Sequence, residues 1–169
     1  IRSKVLITDG KIMAISNSFK ASENLKVINL PDLTLLPGLM DAHVHLIGNT
    51  ELKGYEGLSE SSYLSTIYGV KNAQDTLMAG FTTVRNDGAS NYSDVALKQA
   101  IAKQAVLGPT LLVSGPPLGI TGGHCDSNTL PYDFNYTSDG VADGPWEVRK
   151  KVRENRKYGA DLIKFCATG

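Results

Sequence analysis

Apolar and polar residues follow two different rhythms along this chain, and the change falls at Pro37-Gly38. Before it, apolar residues come in short clusters. Val5-Leu6-Ile7 is answered by Ile12-Met13-Ala14-Ile15 across Asp9-Gly10, and residues 25–30 and 33–36 follow, divided by Pro31-Asp32. Asp-Gly between two such runs is a strong hairpin signal, because both turn positions favour residues that tolerate a positive φ. Proline and glycine punctuate the other runs. Residues 1–36 are therefore expected to form a small all-β unit, too small to stand alone.

After Gly38, apolar strand-like runs alternate with helical spacing. Residues 39–46 read as a strand. Tyr63, Leu64, Ile67, Tyr68, Val70, Leu77 and Met78 recur at helical intervals across residues 59–79, with Gly80 at the stop position. A β-branched run, residues 81–85, leads to a helix over residues 93–107 that ends at Gly108-Pro109. Residues 110–114 are a third strand, and residues 115–144 are so rich in turn formers that they read as loop. Pro145 suits a first helical turn, Gly159 an end, and residues 162–166 a fourth strand. Strands alternating with helices imply an α/β fold with a parallel sheet, open or closed, whose working residues lie at the C-terminal strand ends.

Composition narrows the function. The 169 residues are 41% hydrophobic and 20% charged, with 17 basic and 17 acidic residues and no net charge. That balance argues against disorder, and it leaves no field to attract nucleic acid or anionic lipid. No apolar run approaches a membrane span, and the N-terminal residues lead into a strand pattern, so a cytoplasmic protein is expected. Cys125 and Cys166 show no Cys-x-x-Cys spacing and read as unpaired thiols in a reducing compartment.

Candidate chemistry begins at His43-Val44-His45. Period-two geometry puts both imidazoles on one face, about 6–7 Å apart at the backbone, close enough to share a metal ion. The alternative is a pair of buried histidines satisfied by neighbours, but one divalent ion would satisfy both at once. Lys164 lies between Ile163 and Phe165, where an unpaired ammonium is costly. Two readings stay open for it: an ion pair with an acid such as Asp41 or Asp87, or a carbamate formed with carbon dioxide and able to bridge two metals. In Thr121-Gly122-Gly123-His124-Cys125-Asp126 the glycines would let backbone approach a ligand, with His124 as hydrogen-bond donor or third metal ligand. A glycine-rich surface turn is the alternative. Cys125 and Cys166 read as structural, the latter as a small hydrophobe on the Lys164 face. Arg85 with Asp87 reads as a supporting ion pair. Tyr132, Phe134 and Tyr136 could wall a substrate site or simply pack.

Pro37-Gly38-Leu39-Met40-Asp41-Ala42-His43-Val44-His45 resembles the signature of the amidohydrolase superfamily. The resemblance extends through residues 79–85 and Thr121-Gly122-Gly123-His124 to residues 161–169. It is closest to the imidazolonepropionase-like branch, with its zinc-dependent Xaa-Pro dipeptidases and arginine carboxypeptidases. It implies the N-terminal half of a metal-dependent (β/α)8 TIM-like barrel over residues 37–169, preceded by part of a small β-sandwich domain in residues 1–36. His43 and His45 would hold the more buried of two divalent ions, zinc by family habit, and carboxylated Lys164 would bridge the two. His124 would contact a small peptide substrate. Further ligands and the acid–base aspartate belong to later strands of such a barrel, so no certain catalytic residue is expected within these residues.

The implied activity is hydrolysis of C–N amide bonds, in dipeptides or at a peptide C-terminus, by metal-activated hydroxide. Cyclic-amide hydrolysis of the imidazolonepropionase type and a non-catalytic half-barrel for assembly are the alternatives. About 250 residues make a typical eight-stranded barrel, so the length implies a fragment. The missing half would come from chain continuation or another polypeptide, and a homo-oligomer is expected by resemblance.

Overall fold

The computed structural model describes residues 3–18 and 24–167, and its contacts divide the chain into two compact units, Ile1–Leu36 and Pro37–Gly169. In the first unit, β1 (Lys4–Thr8) and β2 (Lys11–Ser16) pair antiparallel, from Lys4 against Ser16 to Thr8 against Lys11. Asp9 and Gly10 turn between them with φ of 51° and 73°, the doubly positive geometry of a two-residue hairpin. The other two strands expected in this unit do not form. Residues 25–30 and 33–36 belong to no strand, and Val27, Ile28 and Leu33 are about 70% exposed (67%, 71% and 72%). Their apolar runs find no ladder partner among the described residues, and a strand exists only in pairing.

The second unit carries β3 (Leu39–Val44), α1 (Ser62–Met78), β4 (Phe81–Asn86), α2 (Ser93–Ala102), β5 (Thr110–Val113) and α3 (Pro145–Tyr158). Its three strands form a parallel sheet in the order β3-β4-β5. Alternation sorts the faces. Val84 opposite Leu111 and Asn86 opposite Val113 are buried, whereas Arg85 opposite Leu112 stands on the other face with Met40, and those residues are exposed. The buried face packs beneath α1 and α2, through Val84, Leu111 and Val113 from the strands, Ala73 from α1, and Val95 and Leu97 from α2. Gly69 of α1 faces the Ile47 side chain, whose Cδ1 would lie 2.7 Å from a Cβ there and would have to turn aside. At the start of β3, a Cβ on Gly38 would collide with the Thr82 side chain, which explains the glycine of the Pro37-Gly38 turn.

Local signals set most helix limits. Ser61 caps α1, its Oγ accepting the Leu64 N–H at 3.3 Å, and Gly80 follows the helix with φ of 100°. Pro145 opens α3 and Gly159, φ 105°, closes it. The expected helix over residues 93–107 is shorter, ending at Ala102. Gln104 takes a φ of 58°, and the Gln104 and Ala105 N–H groups bond back to Ile101 and Ala100, both at 2.9 Å. That is a Schellman stop built on a residue other than glycine.

Residues 162–166 do not form the expected fourth strand, and only one parallel bridge, Leu118 to Phe165, is made. The reason is positional. The Asp161 and Leu162 N–H groups reach the Val113 carbonyl at 2.8 and 3.4 Å, but β5 ends there and Gly115 turns away with φ of 65°, so no ladder continues and the segment next meets Leu118. Thr168-Gly169, which end the last motif, lie outside the described residues. Among the described residues no helix is long and apolar enough to cross a membrane.

Candidate functional site

The C-terminal ends of β3 and β4 are fastened by a polar lattice around the histidine pair. The Asp87 N–H donates to the Val44 carbonyl at 3.0 Å, between the two histidines, and the Leu46 N–H donates to Asn86 Oδ1 at 2.8 Å. From the helix side, Asn72 Nδ2 donates to the carbonyls of Leu46 at 2.7 Å and Gly48 at 3.0 Å. Within this frame the rings of His43 and His45 come together edge-to-face, their centroids 5.3 Å apart. The His43 N–H is held by Asp41 Oδ1 at 2.9 Å, leaving only its side chain free to turn.

Asp87 stands beside the pair. Its side chain is 5% exposed, Oδ2 lies 3.9 Å from His43 Nδ1, and Oδ1 lies 3.3 Å from Arg85 Nε. Yet Arg85 spends its Nε–H on the Ala42 carbonyl at 2.6 Å, so Asp87 Oδ1 is buried with no hydrogen bond. The expected Arg85–Asp87 ion pair is present. Beyond the strand ends lies a cleft of about 340 Å³, lined by His45, Ile47, Ser65, Gly88, Ser93 and Pro117 among others.

Two imidazoles with rings 5.3 Å apart are nitrogen donors of the kind a divalent cation takes. Among the described residues no group of three or more His, Cys, Asp or Glu side chains converges as a metal cluster. The histidine pair therefore fits two positions of such an ion, and further donors must be of another kind or from elsewhere. Lys164 is half-buried in the segment after α3, its carbonyl accepting the Leu118 N–H at 2.9 Å. Of the two readings for it, the ion pair with Asp41 or Asp87 is not formed, and among the described residues its Nζ has no hydrogen-bond or ion-pair partner.

His124 is exposed and does not line the cleft. Its loop is organised by carboxylates: Asp126 accepts the N–H groups of Gly122 (2.9 Å), Ser127 (2.8 Å) and Ser138 (3.1 Å), and Asp143 accepts from Thr121 N–H (3.0 Å) and Oγ1. Those donors hold both carboxyls below the ordinary carboxylate value. Tyr132, Phe134 and Tyr136 are exposed at 93%, 66% and 54%, and pack no core.

The cysteines correct the reading of separate thiols: Cys125 and Cys166 form a disulfide, their Cα atoms 6.0 Å apart. Folding the loop back along residues 162–166 brings them together. The Cys166 N–H donates to the Leu118 carbonyl at 2.9 Å, and a Cβ on Gly119 would lie 2.8 Å from the Cys125 Cβ. With the thiols paired, the cysteine argument for a reducing compartment falls away.

Sequence reasoning missed the buried network that steadies the strand ends. Asn86 Nδ2 donates to Asp94 Oδ2 at 3.3 Å, and Asp94 also accepts the Gly115 N–H at 3.0 Å and the Val95 N–H at 2.9 Å. Burial pushes the Asp94 carboxyl above its ordinary value, and these donors pull the other way. Asn155 Nδ2 bonds the carbonyls of Ser114 at 3.2 Å and Pro116 at 2.9 Å, while Tyr92 donates its hydroxyl to Asn155 Oδ1 at 3.0 Å. The Tyr92 phenol is pushed up to about 12, first by burial and then by nearby carboxylates led by Glu154. A signal for Asn86 did exist: it falls two residues after Val84, on the face that must be buried.

The sequence profile of the amidohydrolase family matches residues 34–169. Ochratoxinase of Aspergillus niger is 30% identical across the whole chain, which spans 39% of that enzyme. A solved Xaa-Pro dipeptidase with bound methionine in its active site superposes with a TM-score of 0.79 at 32% identity, over 100% of this chain and 41% of its own. A prolidase complexed with N-methylphosphonate-L-proline gives 0.79 at 28% identity, over 99% and 42%.

Proposed function

The chain belongs to the amidohydrolase family, and from that premise we propose that it forms the N-terminal half of a (β/α)8 barrel hydrolysing C–N amide bonds with two divalent ions. Residues 1–36 would be part of an accompanying β-sandwich, and the remaining barrel strands come from further polypeptide. The substrates are dipeptides or peptides losing a C-terminal residue. Similarity to a Xaa-Pro dipeptidase and a prolidase supports that class, and similarity to ochratoxinase supports amide hydrolysis more broadly.

The observation that carries the reading is the histidine pair, rings 5.3 Å apart, at a strand end beside a buried carboxylate lacking a hydrogen bond to one oxygen. His43 and His45 would hold one ion. Lys164 would contribute to holding the ions as a carbamate, formed when its neutral amine adds to carbon dioxide and gives up one proton. Bound divalent ions supply a water of lowered pKa and polarise the scissile carbonyl. His124 donates a hydrogen bond to the substrate, which requires its loop to close over the strand ends. Ser65 and Ser93 line the cleft beside His45, their hydroxyl protons donated to Glu60 Oε1 and the Ser90 carbonyl.

The test is an assay of the intact protein against Xaa-Pro and Xaa-Arg dipeptides, ochratoxin and cyclic amides. Dipeptide turnover, lost on chelation, restored by zinc and abolished by Lys164→Ala in a folded variant, is expected. Turnover of cyclic amides alone would replace the substrate assignment, and turnover unaffected by chelation and by Lys164→Ala would overturn the metal reading.

A further inference from the structure

We propose that Asp87 is a positioning residue for His43: its carboxylate accepts the Nδ1 proton and so directs Nε2 of that ring to the metal. The inference rests on the metal site proposed above and assigns a role to a residue outside its ligand set.

Asp87 cannot move far. It is 4% exposed, its N–H is fixed to the Val44 carbonyl, and Gly88 beyond it holds a φ of 143°. The His43 side chain is 58% exposed on a backbone fixed by Asp41, so the ring moves to the carboxylate. The 3.9 Å from Nδ1 to Oδ2 is too long for a hydrogen bond, so the proposed contact requires the exposed ring to turn toward the carboxylate. Such contacts tighten when a site is loaded. The two carboxylate oxygens face different partners: Oδ1 faces Arg85, whose Nε–H serves Ala42, and has no hydrogen bond, while Oδ2 is the oxygen on the His43 side that the turned ring would reach.

The chemistry follows from imidazole itself. A neutral ring has one N–H and one lone pair, so an acceptor fixed at Nδ1 selects the tautomer whose lone pair is on Nε2. The carboxylate also strengthens that nitrogen as a donor. If Asp87 were only a counterion for Arg85, His43 would show no such selection.

The test uses the intact protein labelled with 15N at histidine. The long-range 1H–15N spectrum of His43 is expected to show a protonated Nδ1 in both metal-free and zinc-loaded protein, with zinc shifting Nε2. Protonated Nε2, or zinc on Nδ1, would overturn the proposal. Asp87→Asn, which keeps the shape, should weaken zinc binding by about 10–100-fold in chelator competition and mix the His43 tautomers. Unchanged affinity and tautomer in that variant would overturn the proposal as well. Should Asp87→Asn not fold, the wild-type spectrum decides alone. A wild-type protein that binds no zinc would overturn the metal centre, while its metal-free tautomer still decides the role of Asp87.

Discussion

The β3 and β4 ends and the loop of residues 115–144 both carry candidate site residues, but they are held in opposite ways. At the strand ends, the backbone around His43 and His45 is fixed through buried amides and carbonyls, with Asn86 and Asp94 fully buried, while both histidines themselves stay exposed. In the loop, His124 rides on exposed turns tied by the carboxylates of Asp126 and Asp143 and by one disulfide. The difference teaches where each kind of task belongs. In the proposed roles, a metal ligand needs a backbone that does not shift, which strands supply. A substrate contact must open and close, which loops supply.

The largest effect should come from cutting the strand-end lattice. Asn86→Ala leaves the Leu46 N–H without its acceptor and removes one of the three donors to Asp94, and should cost about 2–3 kcal/mol at about 1–3 kcal/mol per buried group left unpaired. Thermal unfolding would measure it, and zinc affinity should fall with it. A loss below 1 kcal/mol would show that the strand ends are no better fixed than the loop.

Reducing the disulfide comes next. Its 41-residue separation corresponds to at most about 4 kcal/mol of unfolded-state chain entropy, and native relaxation lowers the observed figure. Hydrogen exchange should localise the loosening to residues 119–143 and 162–166, leaving the Leu46 and Asp87 amides protected. Loosening of those two amides would merge the two regions into one.

Acid separates the regions by sign. The Asp126 and Asp143 carboxyls titrate below 3.8, so their stabilisation is complete above that value and is lost as pH falls through their depressed values. Asp94 titrates above 3.8, so its contribution is complete below that value and is lost as pH rises through its raised value. Amide exchange below pH 3.8 should therefore accelerate at Gly122 and Ser138 relative to Val95 and Gly115. Equal acceleration would contradict the division. The smallest effect is expected from His124→Ala, which should change stability by less than about 0.5 kcal/mol while lowering dipeptide turnover.

The same contrast explains what could be read without coordinates. The His43-Val44-His45 pair was legible because i, i+2 spacing in extended backbone puts two imidazoles on one side, even though β3 ends at Val44. The alternation of strand and helix after Gly38 was legible because α1 and α3 carry ordinary caps. The end of α2 was hidden, since Gln104 takes a left-handed turn usually given to glycine. The disulfide was hidden because nothing local couples Cys125 to Cys166, and only the fold-back of the loop along Lys164 does so. Residues 162–166 and 25–36 have the apolar runs of strands, but a strand needs a neighbour, and neighbours are not written in a local run. Asn86 and Asn155 looked like ordinary polar residues until burial showed them bonding across elements.

Zinc X-ray absorption on the reconstituted intact protein tests the central claim most directly. The expected spectrum shows stoichiometric zinc with only nitrogen and oxygen neighbours at about 2.0–2.2 Å, imidazole scattering from two or more rings, and loss of part of that shell in His45→Ala. Sulfur neighbours at about 2.3 Å, or a shell unchanged in His45→Ala, would contradict it.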